Sequence, residues 1–335
     1  MTFVIQQTLL YAVPLMLVAL AGVFAERSGI INLALEGIMI FGAFIGVLFV
    51  RSVQGMDIFV NAFRGGDWIT LQGLELMAMA AAAIMGAVFS LLLSFASINL
   101  KADQTIGGTA LNLMAPALVL FLVRILANQN TLQMTTGDAA SWFMIKKSTF
   151  GIPKNQDLGF LGETFLHKVY LATYLCIIIF IILSVILYKT RFGLRLRACG
   201  ENPQAADSVG ISVVKMRYLG VLASGAMAGL GGLAFIIPTT LTFTSNVSGY
   251  GFLALSVVVF GRWKPSGICL GALFFGITKT LGSAYSVIPF LYNLGIPEAF
   301  YKMLPYVATL IVLAISSSNS NKPAVAGVPY DKSKR

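Results

Sequence analysis

The chain has 335 residues, 57% of them hydrophobic and only 11% charged, with a mean hydropathy of +0.85. Soluble domains carry about 25% charged residues, so a soluble globular protein is excluded. An all-α integral membrane protein is expected, with nearly the whole chain in or beside the bilayer. The net charge of +10 then reports topology and contact with membrane lipids rather than with nucleic acid.

A helix needs roughly 20 apolar residues to cross the hydrocarbon core. Candidate spans run over 8–25, 30–50, 74–97, 109–127, 169–188, 218–237, 250–260, 267–285 and 303–316. The seventh and ninth are short, so a polytopic bundle of about 9 (8–10) transmembrane helices is predicted. The first span follows no basic region and shows no small-residue cleavage site, so it reads as a retained span rather than a signal peptide. Glu26, Arg27 and Ser28 form a tight turn before span 2. Gly42 and Gly46 give that span a GxxxG face, and Gly225 and Gly229 repeat it in span 6, which points to close helix packing. The longest polar stretch, 128–168, holds Trp142 and the Ile152-Pro153 pair. It is expected to fold over one mouth of the bundle or to touch a partner there.

Span 7 has a polar, glycine-broken approach, TTLTFTSNVSGYG, before a short apolar run. Such broken segments often line translocation paths, because unwound backbone is tolerated only beside protein or water. Thr242, Thr244, Ser245, Asn246, Ser248 and Tyr250 offer hydroxyl and amide groups to a sugar or nucleobase; an ordinary extracellular loop is the competing reading. Polar groups inside spans are costly and are therefore candidates too. Asn32 and Glu36 share one face of span 2, and Asn112 lies in span 4. Arg124 reads as snorkelling to the interface, while Lys279 lies well inside span 8. The substrate-pathway set is Asn32, Glu36, Asn112, Asn246 and Tyr250.

Between two strongly apolar segments lies KTRFGLRLRACGENPQAADSVGISVVKMR, residues 189–217, with six basic residues. Inside it a short helix is predicted. Asn202 is a natural N-cap, Pro203 suits the first helical position, and Gly210 suits the left-handed residue that ends a helix. With this loop on the cytoplasmic side, that side carries fourteen Lys and Arg against seven on the other, as the positive-inside rule requires. Nine spans then leave the N-terminus outside. Residues 1–316 form one transmembrane domain, and the polar 317–335 tail is expected to be disordered.

The search for chemistry comes up empty. No GxxxxGK[ST] phosphate loop occurs; Gly276-Ile-Thr-Lys-Thr lacks the glycine before lysine and lies in a span. Cys176, Cys199 and Cys269 are scattered, without disulfide or metal spacing. His167 is the sole histidine. No catalytic residue, metal site or cofactor of this chain's own is predicted, and the chain is not expected to be an enzyme.

The order ENPQAADSVGIS, from Glu201, Asn202 and Pro203 through Ala205 and Ala206 to Gly210 and Ile211, resembles the coupling segment of ATP-binding-cassette importer permeases. The group is the one that handles branched-chain amino acids, simple sugars and nucleosides. The likeness extends to ERSGIINLALEGIM at 26–39, ADQTIGGTALNL at 102–113, TRFGLRLRACGENPQAA at 190–206, GFLALSVVVFGRWKPSG at 251–267 and MLPYVATLIVLA at 303–314. The ERSG-x-x-NLALEG and FGRW-x-P-x-G combination is similar to the nucleoside subgroup. The resemblance implies a permease in the cell membrane, coupled through residues 200–211 to a separate ATPase that uses ATP and Mg. It further implies a second homologous permease, an extracytoplasmic substrate-binding protein, often a lipoprotein, and alternating access. The same machine importing a simple sugar or a branched-chain amino acid is the first alternative. An ion-gradient-driven secondary transporter using Glu36 and Lys279 is the second, and it has no need of a docking helix.

Overall fold

The structure is a computed structural model that describes residues 2–135, 139–153, 158–240, 242–285, 293–316 and 322–331. It is a helical bundle. The helices are α1 (Thr2–Arg27), α2 (Leu35–Val53), α3 (Asp57–Gly65), α4 (Trp68–Ser94), α5 (Gln104–Ala127), α6 (Ala139–Phe143), α7 (Gly159–Leu166), α8 (Leu171–Lys189), α9 (Arg191–Glu201), α10 (Pro203–Ser208), α11 (Val213–Thr239), α12 (Tyr250–Phe260), α13 (Pro265–Ser283) and α14 (Glu298–Ser316). Among the described residues seven helices are long and apolar enough to cross a membrane: α1, α2, α4, α5, α8, α11 and α13. With the short α12 and with α14, each of the nine predicted spans falls on a helix. This is a multi-pass membrane protein.

The ends of these helices are written locally. Asp103 caps α5 by accepting from Thr105 N at 2.8 Å and Ile106 N at 3.0 Å. Asp67 does the same for α4, which satisfies backbone donors that have no partner within the helix. The burial of each helix then follows its composition. α1 is apolar on all sides and is buried almost completely from Ala12 to Glu26, as an all-round hydrophobic helix must be. α8 turns Ile178, Ile181, Ile182 and Val185 outward instead, a surface suited to lipid. α1 and α11 therefore form the centre, and α5 and α8 lie on the rim.

Glycine sets how closely the centre packs. A Cβ on Gly42 of α2 would stand 2.3 Å from Gly229 Cα of α11, and one on Gly232 would stand 2.3 Å from Met39 O. Gly86 of α4 meets Gly225 O in the same way, at 2.5 Å. The predicted glycine faces are thus close helix contacts, backbone to backbone at Gly42 and Gly229 and against the Leu233 side chain at Gly46, and α4 joins them through a glycine outside any GxxxG pattern.

One end of the bundle is capped by the described residues of the 128–168 stretch. Strand β1 (Leu132–Gln133) pairs antiparallel with Thr242–Phe243, and β2 (Met144–Ile145) pairs with β3 (Val169–Tyr170). Trp142 is buried and stacks on Phe63 of α3 with centroids 4.6 Å apart. Gln6 of α1 donates to the carbonyls of Glu163, Thr164 and His167, and Lys147 pairs with Glu163.

The other end differs from expectation twice. The 189–217 segment holds two helices, not one. α9 precedes the predicted α10, and its Gly193, Leu196, Cys199 and Gly200 face inward while Arg191 and Arg195 face out. The tail also departs from the predicted disorder: residues 322–331 fold onto this end, with Val325 N donating to Gly200 O and Gly327 N donating to Gly29 O. The rest of the tail lies outside the described residues.

Candidate functional site

Between α1 and α2 the chain does not continue as helix. Residues 28–34 climb alongside α5 as an irregular linker, and a backbone buried at that depth needs a partner for every polar group. α5 supplies many of them. Gln104 Oε1 accepts from Ile31 N at 2.7 Å, Asn112 Nδ2 donates to Leu33 O at 2.6 Å, and Asn112 Oδ1 accepts from Gly37 N at 2.8 Å. Asn32 folds back to accept from Ala34 N, and its amide donates to Ser224 Oγ of α11 at 2.8 Å.

Glu36 closes the junction from the far side. Its two carboxylate oxygens accept from Gly249 N at 2.9 Å and Gly251 N at 2.6 Å, at the first turn of α12. Three things coincide there: a carboxylate, free helix N–H donors and the positive end of a helix dipole. Gly251 lets the two backbones meet, since a Cβ there would fall 2.2 Å from Glu36 N. α12 has 11 residues and so spans only about 16 Å at 1.5 Å per residue, roughly half of a hydrocarbon core. At its far end Trp263 Nε1 donates to Glu26 Oε2. Residues 242–249 must therefore descend into the bundle without helical hydrogen bonding.

That descent has a regular pattern. Thr242, Thr244, Asn246 and Ser248 are exposed, whereas Phe243, Ser245 and Val247 between them are buried. Ser245 and Ser248 have left-handed φ of +56° and +55°, so the segment is not a regular strand, but the alternation leaves a row of four polar side chains exposed while the residues between them pack on the core. Asn246 Oδ1 accepts from Ser248 N at 2.7 Å. Tyr250 sits on the opposite side, buried against Phe235 with centroids 3.9 Å apart and with Lys279 Nζ 5.8 Å from its ring centre. Of the predicted pathway set, Asn246 stands in the open row. Asn32, Glu36, Asn112 and Tyr250 gather behind it, their hydrogen bonds or ring faces turned to the protein. Ser245 also turns inward. Arg124 lies apart, at the exposed end of α5, where its Nε donates to Asn130.

The second group of predicted residues forms α10. Asn202 Oδ1 accepts from Ala205 N at 3.0 Å, and Pro203 occupies the first turn. At the other end Gly210 has φ +83°; its N–H donates to Asp207 O and Ile211 N donates to Ala206 O, both at 3.0 Å. This 5→2 and 6→1 pair is the Schellman C-cap, so both ends of the helix are closed internally. Gln204, Ala205, Ser208 and Val209 are exposed on its outer side. Pro203 and Ala206 are buried within the chain. Glu201 is tied to Arg27 of α1 at 3.1 Å. Beside α10 opens a cleft of about 610 Å³ lined by Asn202, Gln204, Arg217, Tyr330 and Asp331.

The segments that meet here are far apart in sequence. Residues of 26–39, 102–113, 190–206 and 251–267 meet at or beside the linker, so four of the five sequence stretches singled out above form one connected junction. The contributors that sequence reasoning missed are mostly backbone groups, namely the N–H of Gly249 and Gly251 and the carbonyls of Gly29 and Gly200. The pairings of Glu26 with Trp263, Arg27 with Glu201 and Asn32 with Ser224 carry a side chain on both partners.

Comparison with known proteins gives the class. A family model described as "Branched-chain amino acid transport system / permease component" matches residues 4–313, and the chain belongs to that family of transport permeases. It is similar to the guanosine ABC transporter permease protein NupQ of Bacillus subtilis (strain 168), 40% identical over 342 residues that cover 100% of this chain and 98% of the relative. It is also similar to the nucleoside ABC transporter permease protein NupC of Lactococcus lactis, 37% identical over 99% of this chain and 97% of the relative. The glucose ABC transporter permease protein TsgB13 of Haloferax volcanii is more distant, 24% identical over 98% of this chain and 80% of the relative.

Proposed function

We infer that this chain is the membrane-spanning permease subunit of an ATP-driven nucleoside importer. The observation that carries the reading is the full-length identity, near 40%, with permeases named for guanosine and nucleoside transport. The geometry supports it. A nucleoside carries ribose hydroxyls and a base edge, and the Thr242, Thr244, Asn246 and Ser248 row offers hydroxyl and amide groups of matching chemistry. This chain performs no bond chemistry in the scheme; ATP and Mg are used by a separate ATPase subunit.

The division of labour follows from the two sites. The ATPase docks on the outward face of α10, formed by Gln204, Ala205, Ser208 and Val209, which places that end in the cytoplasm. Residues 128–168 then cover the opposite mouth, where an extracytoplasmic binding protein delivers substrate. A second, homologous permease completes the path along the polar row. Movement of α10 on nucleotide binding passes through the Arg27–Glu201 pair to α1 and through the linker to Glu36. There it shifts the start of α12 and with it the row above.

The test is uptake of labelled uridine, adenosine and guanosine by cells with and without the gene, repeated with a protonophore under conditions that preserve ATP. Gene-dependent uptake that survives the protonophore and ignores excess ribose and leucine is expected. Competition by ribose or leucine would move the cargo to a sugar or an amino acid, and collapse with the gradient would remove the ATPase from the scheme. For docking, Ala205→Trp should abolish copurification of the ATPase and lower uptake at least tenfold while the chain stays folded in detergent. Ala206→Trp should lower the yield of folded chain instead, because Ala206 packs inward.

A further inference from the structure

The folded part of the tail engages both flanks of the docking helix and the linker. Before α10, Ala324 N donates to Glu201 Oε2 at 3.3 Å and Val325 N donates to Gly200 O at 3.1 Å. After α10, Arg217 of α11 donates from Nη1 to Val328 O at 3.1 Å, and its guanidinium lies 5.8 Å from the centre of the Tyr330 ring. At the linker, Gly327 N donates to Gly29 O at 3.2 Å, with Gly327 at φ +91° and Ile31 close against it. Lys101, just before α5, pairs with Asp331 at 3.1 Å. Ten residues thus touch four segments: the α9–α10 corner, the base of α11, the linker and the start of α5.

Arg217 is the centre of this arrangement. It is 1% exposed, and its Nη2 lies 2.9 Å from where a Gly29 Cβ would stand. A guanidinium buried at that spot, between the linker and the tail, is strongly desolvated and is retained at a cost. The tail carbonyl of Val328 and the Tyr330 ring face are what it gains there, the second as a cation–π contact. The tail is therefore part of the setting of Arg217 and not a loose end lying over it.

We propose that residues 322–331 are a strap that transmits motion of the docking helix to the linker, and so to the start of α12, when the ATPase moves. The proposal rests on the docking role of α10 given above and adds a second route beside the Arg27–Glu201 pair. Glu201 and Arg27 are bound by one ion pair whose carboxylate is half exposed, a contact that yields easily under load. The strap instead grips the α9–α10 corner and the linker by main-chain hydrogen bonds, Val325 N to Gly200 O and Gly327 N to Gly29 O, and it holds the base of α11 through the buried Arg217 side chain. Released from the strap, α10 still presents Gln204, Ala205, Ser208 and Val209 to a partner, but its displacement is no longer imposed on Gly29 and Ile31.

The experiment uses the complete transporter, reconstituted in vesicles with its ATPase, partner permease and binding protein. Three forms are compared with wild type: the chain ended after Asn321, the chain ended after Asp331, and full-length Gly327→Val. The last opposes a left-handed φ and crowds Ile31, and so loosens the strap without deleting it. Nucleoside uptake, ATP hydrolysis and ATPase copurification are read together. Expected is an uncoupled machine. Ending the chain after Asn321 lowers uptake at least tenfold while the ATPase copurifies and hydrolyses within twofold of wild type. Gly327→Val moves in the same direction, and ending the chain after Asp331 changes nothing. Uptake within twofold of wild type without residues 322–335 would overturn the proposal. So would a parallel fall in uptake, hydrolysis and copurification, because the tail would then serve folding or docking alone. If the ATPase failed to copurify with the wild-type chain, the docking reading itself would fall and the strap with it.

Discussion

The linker junction and the descending 242–248 segment are neighbours, and both are rich in polar side chains, but they use them in opposite ways. At the junction Asn32, Glu36, Gln104 and Asn112 are turned to backbone groups or to Ser224. In the descending segment Thr242, Thr244, Asn246 and Ser248 stand in the open. A polar residue in a span is therefore not by itself a pathway residue. Irregular backbone inside the bundle has to be satisfied first, and only side chains left over from that demand are free for a substrate. The expectation that Asn32, Glu36 and Asn112 line the path is better replaced by a division between residues that hold the break open and residues that face it.

The junction should fail structurally, and the largest effect belongs to Gly251. A Cβ there meets the Glu36 backbone at 2.2 Å, and neither helix start has flexible side-chain atoms that could yield. Overpacking of this kind costs about 1–3 kcal/mol and sometimes more. Gly251→Val should therefore sharply reduce the folded fraction recovered by size exclusion in detergent. Normal recovery with normal uptake would show that α2 and α12 are not in contact.

Glu36→Gln comes next. A carboxamide keeps one acceptor oxygen but turns its NH2 toward a backbone N–H, so one of the Gly249 and Gly251 donors loses its partner. Leaving a buried donor unsatisfied costs about 1–3 kcal/mol. The melting temperature in detergent should fall and uptake should fall with it. A loss of uptake at unchanged melting temperature would return Glu36 to the pathway.

The open row should fail the other way. Asn246→Ala removes an exposed side chain whose one bond, to Ser248 N, shapes a turn at the surface. Its melting temperature should stay within about 2 °C of wild type, since exposed substitutions usually lie within ±0.5 kcal/mol. Uptake should nevertheless drop several-fold, and paired Thr244→Ala should deepen the loss. Wild-type uptake in both would leave the row without a transport role.

The helices were legible because apolar length is a property of each segment alone: seven of the nine predicted spans fall on helices long and apolar enough to cross a membrane, and the predicted 250–260 span coincides with the short α12. Helix α10 was legible too, because its N-cap, its first-turn proline and its terminal glycine are all local signals. What stayed hidden depends on partners distant in sequence. Glu36 meets N–H groups 213 and 215 residues away, and a backbone N–H leaves no mark on residue type. The tail was misread for the same reason: its polar, proline-bearing sequence looks unstructured, and it docks chiefly on backbone carbonyls. The inward face of α9 was there to be read at 193, 196, 199 and 200, but the arginines between those positions dominated the pattern.

The smallest expected effect lies in the cover, far from both sites. Lys147 hydrogen-bonds the Glu163 carboxylate and holds its pKa below the ordinary 4.5. A carboxylate with a depressed folded pKa contributes stability that is present above 4.5 and lost as pH falls through the depressed value. Burial also lowers the pKa of His167 from 6.5, so protonation there likewise opposes the folded cover, beginning at a higher pH. Because α7 is tied to α1 by Gln6 through the Glu163, Thr164 and His167 carbonyls, loosening should expose 158–168 before the bundle itself opens. Limited proteolysis of the folded protein should therefore accelerate modestly in two steps on acidification, one below about 6.5 and one below about 4.5. Glu163→Gln should erase the lower step and leave the upper one. A single step unaffected by that substitution would mean that the cover is held by its strand pairs and Trp142 alone.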